Sequence, residues 1–245
     1  MKIFLRPGER SDTAWEDLAK SYDEIFRSPG YMRDSDAFYS WILHLLKASP
    51  GKRLLDIGCG EGHLLRLGRK LGLIPFGVDL SLVGAQTAKE IAGANVIALA
   101  AGEQLPFSKN SFDLVTNIGS LEHFLDPSMG LREMRRVMAT DALAALVLPN
   151  SYYLVDIVWQ VWRTGYSPSH KQQLERFATF REWWDLIEEN GFSIRRAQKY
   201  NLKFPRTKAD LNWYRRHPRK ILNLIFSPIV PTNLSYHFVY ICSKR

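Results

Sequence analysis

The sequence predicts an α/β domain wound on both sides of a mostly parallel sheet. Three observations predict it. Short apolar runs of buried-strand length alternate with helical periods through residues 51–150. The connections between these runs are short, as in strand–helix–strand units. Three glycines cluster where the first apolar run hands over to a helix, in "LLDIGCGEGHLL" at 54–65.

The elements follow in order. "TAWEDLAKSYDEIF" reads as a helix opening on Thr13, with Glu16 completing a capping box. "DSDAFYSWILHLLKA" is a second helix with Phe38, Trp41, Ile42, Leu45 and Leu46 on one stripe, ended by Ser49-Pro50-Gly51. "RLLDI", "PFGVD", "NVIALA", "FDLVTN" and "ALAALVLP" read as buried strands. Helices at 61–71, about 82–92 and "SMGLREMRRVM" lie between them, the first two closed by Gly72 and Gly93. "TFREWWDLIEENG" is a further helix, boxed by Thr179 and Glu182 and stopped by Gly191. "FSIRRAQKYN" and "YHFVYICSK" alternate like strands, and as an antiparallel pair they bring the sheet to seven. One domain over 1–245 is expected: N-terminal helices at 1–50, a ligand-binding core at 51–150, and insertions at 151–178 and 204–234 capping one end of the sheet.

Composition narrows the class. At 46% hydrophobic and 24% charged, the chain is an ordinary globular sequence. "MKIFLRPGER" holds too short an apolar core for a secretory leader, and no run reaches the length of a membrane span. Two distant cysteines, Cys59 and Cys242, argue against a disulfide framework or a zinc site, so a cytoplasmic location without a metal is expected. The net charge of +8 is concentrated: Arg195 to Lys220 holds ten basic residues against the single acid Asp210. Such an excess points to an anionic partner, whether a small molecule, a membrane surface met through 195–230, or nucleic acid.

The glycines carry the chemistry. Asp56 ends a strand, and Gly58-Cys59-Gly60-Glu61-Gly62 strips the following turn of bulk, so backbone can approach a ligand closely. That ligand sits at the carboxyl end of the strand, where open α/β sheets bind. A dinucleotide turn has the spacing G-x-G-x-x-G. Here the spacing is D-x-G-x-G-x-G, and an acid ahead of the glycines repels a pyrophosphate while attracting an ammonium.

This pattern resembles the first motif of class I S-adenosylmethionine-dependent methyltransferases, of the type seen in ubiquinone and menaquinone biosynthesis. "GVDLS" at 77–81 is similar to their second motif, "AGEQLPFSKNSFDLVTN" to their third, and "LREMRRVMATDALAALVLPN" to the helix and strand that follow. The resemblance implies a Rossmann-like methyltransferase fold and S-adenosyl-L-methionine as cofactor. It lays Gly58, Cys59, Gly60 and Gly62 along the methionine part of the cofactor, with Asp56 helping to hold the amino group. Asp79, followed by Leu80, takes the ribose hydroxyls. The acid that often meets the adenine is Ala101 here, which leaves Glu103 or the backbone at Gly102 for that contact. Asn117, closing the fourth strand, and Tyr22, an N-terminal aromatic packed over the cofactor, complete the implied set. The usual Pro-Gly-Gly turn before the fifth strand is replaced by Thr140-Asp141-Ala142.

A hydroxyl acceptor also wants a base near neutrality, and histidine suits. His123, in "NIGSLEHF", lies by the reactive end of the cofactor, and His170, in "SPSHKQQ", lies in the first insertion. Tyr152, Tyr153, Trp159, Trp162, Trp183 and Trp184 offer a bulky apolar lining. With the cations of 195–220, they point to a small-molecule or amphipathic acceptor of lipid or glycan type with an anionic part. Two alternatives stand beside this reading. An RNA methyltransferase accounts for the basic excess but lacks an Asn/Asp-Pro-Pro-Tyr segment, a Pro-Cys nucleophile and an RNA-binding module, which makes a nucleic-acid partner the weaker choice. A catalytically silent binding protein accounts for Ala101 but not for intact Asp56, glycines and Asp79.

Overall fold

The computed structural model describes residues 4–5, 14–27, 34–93, 96–166 and 174–245. Thr13 and His170 lie outside these residues, as does the side chain of Trp159.

A two-residue strand β1 (Phe4–Leu5) and helices α1 (Trp15–Phe26) and α2 (Asp36–Leu45) precede the sheet. The sheet then builds by strand–helix alternation: β2 (Arg53–Ile57), α3 (His63–Lys70), β3 (Ile74–Asp79), α4 (Leu82–Ala92), β4 (Val96–Leu99), β5 (Phe112–Ile118), α5 (Pro127–Val137) and β6 (Met138–Pro149). A π-helical turn (Asp156–Val161) continued by the short α6 (Trp162–Thr164) follows. β7 (Arg176–Phe177) pairs with β1. Next come α7 (Phe180–Glu189), β8 (Phe192–Tyr200), α8 (Lys208–Arg216), α9 (Pro218–Phe226) and β9 (His237–Lys244).

Seven strands form the main sheet in the order β4-β3-β2-β5-β6-β9-β8. β2 through β6 run parallel, and β9 pairs antiparallel with both β6 and β8. The expected hairpin partners therefore pair, with β9 inside the sheet and β8 at its edge. The order reverses between β2 and β5, so a crevice opens at their carboxyl ends, the usual place for a ligand in such sheets.

Each face of the sheet carries a dry layer. On one side Leu131 and Met134 of α5 and Trp183 of α7 pack on Leu55, Val115 and Leu146. On the other, Phe38 and Ile42 of α2, Leu65 of α3 and Trp213 of α8 pack on Leu54, Leu114 and Val239. Strands buried on both faces explain why their sequences read as apolar runs without alternation.

One local expectation is corrected. Thr140-Asp141-Ala142 forms no turn between helix and strand. α5 ends at Val137 and β6 begins at once, and the irregularity is absorbed as a register shift, with Phe112 opposite Met138 but Leu114 opposite Leu143.

Candidate active site

The crevice deepens into a cavity of about 400 Å³. Its floor is the turn after β2. Gly58 has φ +71° and donates its N–H to the Val78 carbonyl at 2.8 Å, which bends the chain across the end of β3. Gly62, at φ +76°, caps α3, and an added Cβ there would lie 3.0 Å from the Cα of Ala88. Asp79, at the end of β3, fastens the floor from the side. Its Oδ2 accepts the Gly60 N–H at 2.7 Å, and its Oδ1 accepts the Ser81 N–H at 2.8 Å. Asp56 is held from β5, where the Thr116 hydroxyl donates to its Oδ1 at 2.6 Å.

The rest of the wall comes from distant segments. Tyr22 of α1 meets the ring of His123 edge-on, with centroids 5.9 Å apart. Nδ1 of His123 lies 2.5 Å from the Leu174 carbonyl, which can only accept, so that nitrogen carries the proton. Tyr153, Phe177, Tyr200 and Tyr236 add aromatic rings to the lining. Tyr200 donates its hydroxyl to Asp34 at 2.7 Å.

The lining is acidic. Asp56, Glu61, Asp79 and Glu103 surround the glycine end, and Asp34, Glu122, Asp156 and Glu175 are spread over the remainder. Among the described residues lining the cavity, Lys220 is the only lysine or arginine. Burial pushes the Asp56 carboxyl up to about 7, helped by Asp79 and opposed by the Thr116 hydroxyl. It pushes Asp79 up to about 6 against amide hydrogen bonds from Ser81, Gly60 and Leu80. Glu122 is pushed up to about 8 by burial, with Glu175 adding to the rise.

Residues 31–197 match the profile of a family described as a methyltransferase domain, about two thirds of the chain. The chain belongs to this family. A 2-phytyl-1,4-naphtoquinone methyltransferase of Trichormus variabilis is 32% identical over 152 residues, 56% of this chain and 55% of that protein. A ubiquinone biosynthesis O-methyltransferase of Pelagibacter ubique is 25% identical over 167 residues, 66% of this chain and 68% of that protein. The chain therefore spans little more than half the length of the first of these relatives. A solved S-adenosylmethionine-dependent methyltransferase of Thermotoga maritima superposes with a TM-score of 0.64 at 18% identity, covering 95% of this chain and 100% of that one, a likeness of fold.

The cofactor of class I members of this family is S-adenosyl-L-methionine, and the site's chemistry fits it. A glycine floor flanked by two buried carboxyls, with no lysine or arginine at that end, suits a nucleoside carrying an ammonium, a sulfonium and a ribose diol. A pyrophosphate does not fit this donor set.

The residues named from the sequence are distributed as follows. Tyr22, Asp56, Gly58, Cys59, Gly60, Asp79, Leu80, Gly102, Glu103 and His123 line the cavity. Gly62 and Asn117 do not; the Asn117 Oδ1 accepts the Leu121 N–H at 2.9 Å and so shapes the turn leading to His123. Glu103 turns one oxygen to the Leu125 and Asp126 amides. Of the aromatic residues, Tyr153 lines the cavity, Trp183 is fully buried core, and Tyr152 and Trp162 are exposed. The sequence reading missed Asp34, Glu122, Glu175, Tyr200 and Tyr236. Only Glu122 left a signal, as the acid beside His123 at the end of a strand.

Two tests follow directly. Gly58→Ala places a methyl at a positive φ, with its Cβ 2.6 Å from that of Ser120. The combined strain should lower stability by about 2–4 kcal/mol and weaken nucleoside binding, read by denaturant melts and calorimetry. The raised carboxyls set a pH slope. Their folded values stand above the unfolded value of about 4, so the folded state binds the extra protons between about pH 4 and 8. Stability without ligand should therefore fall as pH rises through that window. Thermal melts should show the fall, and Asp56→Asn should flatten it.

Proposed function

We propose that the chain transfers a methyl group from S-adenosyl-L-methionine to a small, ring-bearing acceptor with an apolar tail. The carrying observation is that one cavity is lined both by the Asp56–Asp79 floor and by the rings of Tyr153, Phe177, Tyr200 and Tyr236. The sulfonium supplies an already activated methyl, so the protein's work is to hold, align and dry the reactants. Asp79 and the glycine turn hold the nucleoside, and Asp56 takes its amino group. The aromatic rings hold the acceptor, with 151–178 and 204–234 as its cap.

Relatives named for naphtoquinone and ubiquinone chemistry support a quinol-like ring. A separate apolar groove of about 260 Å³, lined by Leu154, Val155, Val158, Phe226 and Val230, shares Tyr153 with the cavity and offers a seat for a tail. Ile225, Phe226 and Ile229 stand exposed beside it, which supports peripheral membrane contact through 195–230. Among the described residues, no helix is long and apolar enough to cross a membrane. Free thiols at Cys59 and Cys242 accord with a cytoplasmic setting. Among the described residues, Lys220 alone of the basic stretch lines the cavity, and the acidic lining supports a neutral or basic head group.

The test has two steps. Calorimetry should show S-adenosylhomocysteine binding, and labelled methyl should pass to prenylated hydroquinones in detergent in preference to tail-less carboxylates. Absence of nucleoside binding removes the reading. Turnover confined to tail-less acids removes the proposed acceptor class.

A further inference from the structure

The cavity lining contains a polar group that the fold itself does not use. Glu122 sits in a single 3₁₀ turn (Leu121–His123) directly after β5 and is 3% exposed. Its Oε2 is fully buried and has no hydrogen-bond partner, although Glu122 lines the cavity. Leaving a carboxyl oxygen buried and unsatisfied is costly, a cost selection seldom tolerates without a use. The turn is also anchored to the cofactor floor. The Ser120 hydroxyl donates to the Ile57 carbonyl at 3.0 Å, and Ser120 packs against Gly58. His123, the neighbouring candidate, has Nδ1 committed to Leu174 and its Nε2 3.8 Å from Oε1 of Glu122.

We infer that Glu122 is the proton acceptor of the reaction, its carboxylate receiving the hydrogen of an acceptor O–H or N–H as that heteroatom takes the methyl group. The assignment rests on the methyl-transfer reading above and names a requirement on the substrate: the methylated atom carries a proton. The balance closes within the cavity. The heteroatom's lone pair forms the new bond to carbon, and the carbon–sulfur bond breaks with its electron pair left on sulfur. The heteroatom's proton passes to the carboxylate, and no oxidant or metal is consumed.

The surroundings suit this role. Glu122 is faced by Glu175 ahead of β7, by Tyr22 of α1 and by His123 on its own turn, while Arg176 of β7 reaches its backbone carbonyl. Burial and Glu175 hold the carboxyl well above the ordinary carboxylate range, which makes it a stronger base once ionised.

Glu122→Gln keeps the shape and removes the basicity. The expected result is S-adenosylhomocysteine affinity within threefold of wild type by calorimetry, a melting midpoint no lower than that of wild type, and a kcat lower by about 10²–10⁴-fold. The rising alkaline limb of the wild-type pH–rate profile should vanish in the variant, and Glu122→Asp should restore part of the rate. Infrared difference spectra of the wild-type protein, without ligands, should show a carboxyl losing its proton near pH 8, a band missing from Glu122→Gln. Unchanged kcat in Glu122→Gln, or a rate loss with the pH limb intact, overturns the assignment. If Glu122→Gln does not fold, Glu122→Asp and the wild-type infrared titration decide: no carboxyl titrating above pH 7 overturns it. Wild-type protein that binds no S-adenosylhomocysteine overturns the methyl-transfer reading itself, and this assignment with it.

Discussion

Asp79→Ala is expected to cut affinity for S-adenosylhomocysteine by roughly 10²- to 10⁴-fold. The side chain accepts the Gly60 and Ser81 amides and presents the only carboxyl at the end of β3. Two charge-assisted bonds to a ribose diol, at about 1.5–3 kcal/mol each, give that range. Loss of the Gly60 tether also frees the glycine turn, so Asp79→Asn, which keeps one acceptor oxygen, should fall between alanine and wild type. Calorimetry across the three proteins, with denaturant melts as the folding control, measures it. Equal affinity in all three would falsify the cofactor assignment.

Trp183→Ala should be the most destabilising single truncation considered. The indole is fully buried between α7 and the sheet, and its Nε1 donates to the Pro149 carbonyl at 2.8 Å. Removing it costs about 3–5 kcal/mol for the void. The orphaned carbonyl adds to that, against a total stability of typically 5–15 kcal/mol for a domain. Pro149 closes β6 and lines the cavity, so the loss should reach the site as well. Trp183→Phe, which fills most of the void but cannot donate, should cost less. Denaturant midpoints at constant slope separate the two contributions.

The glycine turn and its flanking carboxyls were legible because their determinants are local. Asp56, the glycines and Asp79 lie at strand ends, and burial on both faces makes each strand an apolar run that needs no tertiary context. The rest of the lining was not, because its residues come from far apart in sequence: Asp34 meets Tyr200 across 166 positions. Glu122 shows in the sequence only as an acid beside His123 at a strand end, and the turn after β5 folds it inward. The interior position of β9 depends on its pairing with β6, and no periodicity distinguishes an inner antiparallel strand from an edge. Charge counting along the chain does not locate the cations relative to the cavity, for a related reason. Arg195, Arg196, Lys208, Arg215 and Arg216 add to the basic total, yet all five stand exposed on the outer surface while the cavity gathers acids.

Such an interior bears on turnover. A sulfonium nucleoside and its thioether product differ by one positive charge, and walls rich in carboxyl groups discriminate between them by that charge alone. On the methyl-transfer reading, the chamber should therefore hold fresh donor more firmly than spent donor, and more so in alkaline medium as further carboxyls ionise, a difference that calorimetry with the two nucleosides would read.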